Sequence, residues 1–162
     1  LSSLMLPAQA TNNDEPQDYE PIYNSASLIS RAEAVNPNNF NFISINGRTV
    51  SYAIEPCALS EGLIRCALKK LALINASSDE SDADYDLAQT FLFPSKLNPK
   101  TAVVIITRSG LMDDSVNAER YRVSFKRVGK QANAGWQLVQ YGAQYQCARG
   151  DKAGTWTKTL CP

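Results

Sequence analysis

Val116-Asn117-Ala118-Glu119-Arg120-Tyr121-Arg122-Val123-Ser124-Phe125-Lys126-Arg127-Val128 is the stretch whose reading decides the fold. Tyr121, Val123 and Phe125 alternate with Arg120, Arg122, Ser124 and Lys126, a period of two that belongs to a strand with one dry and one wet face. Upstream, Thr101-Ala102-Val103-Val104-Ile105-Ile106-Thr107-Arg108 is an almost unbroken apolar run. Such a run predicts a strand in the middle of a sheet with both faces covered. Residues 109–114 turn the chain between the two strands. Downstream, a loop rich in Gly, Asn and Ala over 129–135 leads into a strand over 136–147. There the apolar positions change parity, from Trp136 and Leu138 to Val139, Tyr141 and Tyr145, which predicts a bulge or bend near 139–142.

Working outward, residues 60–76 carry Leu63, Ile64, Ala67, Leu68, Leu71 and Ile74 at helical spacing behind a Ser60-Glu61 start, so this segment is the expected core helix. Leu28, Ile29, Ala32 and Val35 predict a short helix over 25–35 that Asn36-Pro37 stops. Asn46-Gly47 stands between the alternating runs 40–45 and 48–54 and predicts a tight hairpin, because both turn positions require positive φ. A further short helix is expected over 85–93, ahead of Pro94. The fold class is therefore α+β, a curved antiparallel sheet of about four or five strands packed on one main helix. The domain occupies 39–162, behind a loose N-terminal arm with a short helix at 11–38.

Residues 1–10 are uncharged and end in Ala8-Gln9-Ala10, the small-residue pattern of a signal-peptide cleavage site, which makes them a truncated leader and Thr11 the expected mature start. Four cysteines, Cys57, Cys66, Cys147 and Cys161, are an even number in such a chain and point to two disulfides. Closure between sequence neighbours favours 57 with 66 and 147 with 161. A turn cluster at 150–154 lies midway between the last two, so a hairpin there brings them opposite one another. Their spacings contain no Cys-x-x-Cys pair, and histidine is absent, which argues against zinc. No metal or cofactor is expected.

The absence of histidine also removes the commonest general base. No Ser-x-x-Lys and no glycine-rich phosphate loop is present, and the eight glycines are dispersed. Asp113 and Asp114 are adjacent and read as a turn cap. The acidic loop 79–86 lacks the central Gly and the terminal Glu of a calcium loop and reads as solvated. No membrane-spanning run occurs. Sixteen basic and sixteen acidic side chains cancel, so no global field calls for nucleic acid. The balance is uneven along the chain: residues 1–100 carry seven bases and twelve acids, and residues 101–162 nine bases and four acids, or −5 against +5.

A helix followed by long, bent antiparallel strands over about residues 39–147 resembles the cystatin-like and nuclear-transport-factor-2-like α+β domains. The resemblance implies a curved sheet wrapped round a helix. Cystatin-type inhibitors carry a Gln-x-Val-x-Gly loop, whereas Gln137-Leu138-Val139-Gln140-Tyr141-Gly142 is one residue longer and lies within a strand, so that inhibitory function is not implied. Enzymes of the second group use Asp and His inside the cone, and here the His is missing.

The expected function is that of an exported, periplasmic or secreted, non-catalytic binding module for an unknown protein or anionic envelope component. Arg120, Arg122 and Lys126, sharing one strand face beside Gln137 and Gln140, are the expected contact stripe. The alternative class is a carboxylate-dependent hydrolase working through Asp113, Asp114 and Glu119.

Overall fold

The computed structural model describes residues 28–43, 53–74, 85–111 and 113–162. The expected leader, the expected Asn46-Gly47 turn and all of the acidic loop except Tyr85 and Asp86 lie outside them. Within them the chain runs α1 (Arg31–Val35), β1 (Asn41–Phe42), β2 (Cys57–Ala58), α2 (Leu63–Ile74), β3 (Leu87–Phe93), β4 (Thr101–Arg108), β5 (Val116–Val128), β6 (Gly135–Cys147) and β7 (Trp156–Thr157). No helix among the described residues is long and apolar enough to cross a membrane.

The strands form one antiparallel sheet in the order β1-β6-β5-β4-β3, with β2 and β7 also paired to β6. The sheet has seven strands, more than the four or five expected. The excess is β1, β2 and β7, each of two residues, which share the outer edge of β6 at Gly142–Ala143, Gly135–Trp136 and Tyr145–Gln146. Two residues are too few for alternation to show in a sequence. Strands β4 and β5 have the expected bounds.

The segment 85–93, expected as a helix, is strand β3 over Leu87–Phe93. It pairs along its whole length with β4, from Leu87↔Thr107 to Phe93↔Thr101. The exposed ladder of β4 offers this segment a partner, and pairing outweighs a weak local helix preference. Arg31 guards the new edge: its guanidinium donates to Leu92 O at 2.7 Å and lies 4.1 Å from the Phe93 ring centroid.

Both helices are shorter than expected. Ser30 is the N-cap of α1, accepting from Glu33 N at 3.2 Å, so Leu28 and Ile29 lie outside the helix. Ile29 instead exchanges two hydrogen bonds with the Gln89 side chain, both 3.1 Å. Before α2, Leu59–Glu61 form a 3-10 turn that ends at Gly62, whose φ of 83° breaks the helical path. Of the expected second hairpin run 48–54, the described residues Ala53 and Ile54 are helical, and Phe42 pairs with β6.

The sheet carries a core on each face. Toward α2 point Ala102, Val104, Ile106, Val123, Phe125, Leu138 and Tyr141, packed with Cys66, Ala67 and Leu71. Toward the N-terminal segment point Val103 and Ile105, packed with Ile29, Ala34 and Phe40. The apolar run of β4 is thus covered on both faces, as its composition requires. The described part of the arm is packed on the sheet, with Ile29 and Ala34 buried. Both disulfides join the expected partners, Cys57–Cys66 and Cys147–Cys161. The first ties β2 to α2. The second ties the C-terminus to the end of β6.

Candidate functional site

Alternation does place Arg120, Arg122 and Ser124 on one face of β5, but that face is not wet. Arg120 is 2% and Arg122 5% exposed, because the segment 28–43 and the C-terminal segment lie over them. Arg122 donates from Nε to Ala34 O at 2.7 Å and from Nη2 to Val35 O at 3.3 Å, satisfying carbonyls at the C-terminal end of α1. Arg120 stacks 3.8 Å from the Trp156 ring centroid of β7 and donates to Gln144 Oε1 at 3.2 Å. Gln144 in turn donates to Asn39 O at 2.9 Å. Burial pulls the Arg120 guanidinium down to about 10, opposed by the field of Glu33, and lowers that of Arg122 as well. These two arginines are clamps that hold α1 and the C-terminal segment to the sheet. The exposed stripe expected at this face is reduced to Lys126, with Gln137 and Gln140 half-buried beside it.

The carboxylates are placed separately. Asp113 and Asp114 are exposed, and Asp113 Oδ1 accepts from Ser115 N at 2.7 Å and Val116 N at 3.1 Å, the turn cap its sequence predicts. Glu119 lies on β5 opposite Arg108 and pairs with it at 3.0 Å. Tyr121 hydrogen-bonds Glu119 on the same strand face, and Tyr145 is the register partner of Glu119 on β6. Burial first, and the Glu119 charge second, push both phenols above their ordinary range. On the opposite sheet face, Asn38, Phe40, Asn41 and Phe42 form one wall and Lys158, Thr159 and Leu160 the other of an open groove of about 540 Å³.

A group of cations without ion-pair partners among the described residues lies at one end of the sheet. The β3–β4 loop brings Lys96 and Lys100, and the β5–β6 hairpin brings Lys126, Arg127 and Lys130. The two connections meet directly: Arg127 N donates to Lys100 O at 2.9 Å, and Thr101 is the register partner of Lys126. All five cations are exposed, and none makes an ion pair with any described residue. Neither 94–101 nor 126–135 contains a carboxylate. The acids nearest in the topology, Glu55 and Glu61, belong to the β2 side, two strands from β5, and Glu61 pairs with Lys69 at 3.6 Å. Of the residues singled out from sequence, only Lys126 belongs to this group. Lys96 and Lys100 were missed because reading 85–93 as a helix hid the hairpin that carries them to the end of β5, and Arg127 and Lys130 because the first alternates away from the Lys126 face and the second lies in the loop beyond the strand. No family model, curated protein or solved structure matches the chain.

Proposed function

We propose that this chain is an exported, non-catalytic binding module that docks an anionic partner, a protein surface or a component of the cell envelope, through the cationic end of its sheet. The observation that carries the reading is the group Lys96, Lys100, Lys126, Arg127 and Lys130, five exposed cations converging from two hairpin loops without an ion-pair partner among the described residues. Like charges held together raise the local potential, and a fold gains nothing by collecting them. Two disulfides support an oxidising destination, periplasmic or extracellular. The antiparallel sheet packed on α2, the element order that resembles cystatin-like and nuclear-transport-factor-2-like domains, supports a scaffold that presents its loops. Two of the three carboxylates of the alternative hydrolase reading are otherwise engaged, Asp113 capping a turn and Glu119 pairing with Arg108, and the third, Asp114, is exposed in the same turn.

Retention on phosphocellulose tests the proposal with a defined polyanion. The wild-type protein is expected to bind at low salt and to elute as salt screens the field. Lys100→Glu with Lys126→Glu should abolish retention, while Lys152→Glu with Lys158→Glu, the same charge change at the C-terminal segment, should leave most of it. Equal loss in both pairs means that net charge alone governs binding and overturns the assignment to this end.

A further inference from the structure

The β3–β4 loop carries something a soluble polyanion would not use. Leu97 is 98% exposed, the most exposed large apolar side chain among the described residues. It stands in Pro94-Ser95-Lys96-Leu97-Asn98-Pro99-Lys100, between two of the five cations. The base of the loop is closed, with Lys100 N donating to Phe93 O at 2.8 Å and Arg127 N donating to Lys100 O at 2.9 Å. The base of the loop is therefore fixed beside Lys126 and Arg127, and Leu97 projects from the same end of the sheet. An apolar side chain presented to water at a loop tip contributes nothing to the core, and its surface becomes favourable only when a second phase removes it from water.

We propose that this end of the sheet is a docking surface for an anionic lipid bilayer, with Leu97 entering the interfacial layer and Lys96, Lys100, Lys126, Arg127 and Lys130 meeting headgroup phosphates. The proposal rests on the anionic-docking reading above and names its partner. Charge complementarity and the projecting leucine select the bilayer together. A polyphosphate or acidic polysaccharide satisfies the cations and leaves Leu97 wet. A protein partner has to supply a pocket shaped for one protruding side chain, whereas lipid yields around it. Lysine stems can lie along the interface with their ammonium groups at the phosphates. One leucine plus a basic cluster gives reversible attachment that weakens with salt.

The test is cosedimentation of the whole protein with vesicles of phosphatidylcholine and phosphatidylglycerol, against vesicles of phosphatidylcholine alone, with phosphocellulose as a lipid-free polyanion. Wild-type protein should pellet with the anionic vesicles only. Leu97→Ser, at a position outside the core, should keep its thermal midpoint and its retention on phosphocellulose while binding anionic vesicles about tenfold more weakly. A polarity-sensitive dye attached to Leu97→Cys should shift to the blue when anionic vesicles are added. Equal vesicle binding by wild type and Leu97→Ser overturns the bilayer proposal. So does a wild-type protein that is retained on phosphocellulose but ignores vesicles, an outcome that leaves anionic docking intact and directs it to a polymer or a protein. Failure on both supports overturns the two readings together.

Discussion

Arg122 and Lys126 are four residues apart on one strand face, and a sequence gives no reason to treat them differently. The structure separates them by what lies above: α1 ends over Arg122 and gives it two carbonyls, while nothing of the described chain covers Lys126. Burying a guanidinium without such acceptors would be strongly unfavourable, so the hydrogen bonds and the burial require one another. Tyr121 shows the same coupling for an acid. Its phenol is half-buried, stacked on Tyr141 at 5.8 Å between centroids, and hydrogen-bonded to Glu119. Its proton is therefore held above the ordinary value of 10.0. The unfolded chain loses this proton as pH rises through that value and the folded chain keeps it, so the contribution is fully present below it and is lost progressively above it. Tyr121→Phe is expected to flatten the alkaline limb of stability against pH, read by urea denaturation. In absorbance titration the wild-type protein should withhold part of its phenolate signal until it unfolds. An unchanged alkaline limb in the variant would refute the assignment.

Strand β6 concentrates what a single element can reveal. Its change of parity predicts a bulge, and the register confirms one: Ser124 faces Gln140 and Phe125 faces Leu138, leaving Val139 as the extra residue. Val139 is 57% exposed while Leu138 is 4% exposed in the α2-facing core. Leu138→Ala should therefore destabilise by about 3 kcal/mol, whereas Val139→Ala should stay within about 0.5 kcal/mol. Chemical denaturation of the two variants decides it, and similar values for both would contradict the bulge. The two glycines of β6 also have a meaning that alternation alone did not supply. A Cβ on Gly135 would meet Cys57 O at 2.5 Å, and one on Gly142 would meet Asn41 O and the Phe40 Cβ at 3.1 Å. They stand where β2 and β1 dock, and glycine within a strand is a known mark of close backbone approach. Nothing comparable marks β3. Its residues suit a strand or a short helix, and only the free ladder of β4 decides between them.

At the scale of the whole molecule, the first and last described segments are both held on the sheet. The N-terminal segment covers one face through Arg122, and the C-terminal segment is anchored by β7, by Trp156 on Arg120 and by Cys147–Cys161. A closed loop of about 15 residues contributes roughly 3 kcal/mol in the chain-entropy treatment. Cys147→Ala with Cys161→Ala should lower the urea midpoint accordingly, and an unchanged midpoint would show that β7 pairing suffices to hold the segment. The sequence by itself determined the long strands, because alternation and apolar runs are local records of which faces meet water. It favoured one cysteine pairing of the three possible, since close neighbours along the chain have little entropy to lose on closure, and the structure carries that pairing. What only the tertiary structure decided was which polar face stayed wet, where the two-residue strands attached, and that two hairpins would bring five cations and Leu97 to one end of the sheet. Those outcomes depend on segments far apart in the chain lying side by side, and such proximity is fixed by packing both faces of the sheet at once, which no local pattern encodes.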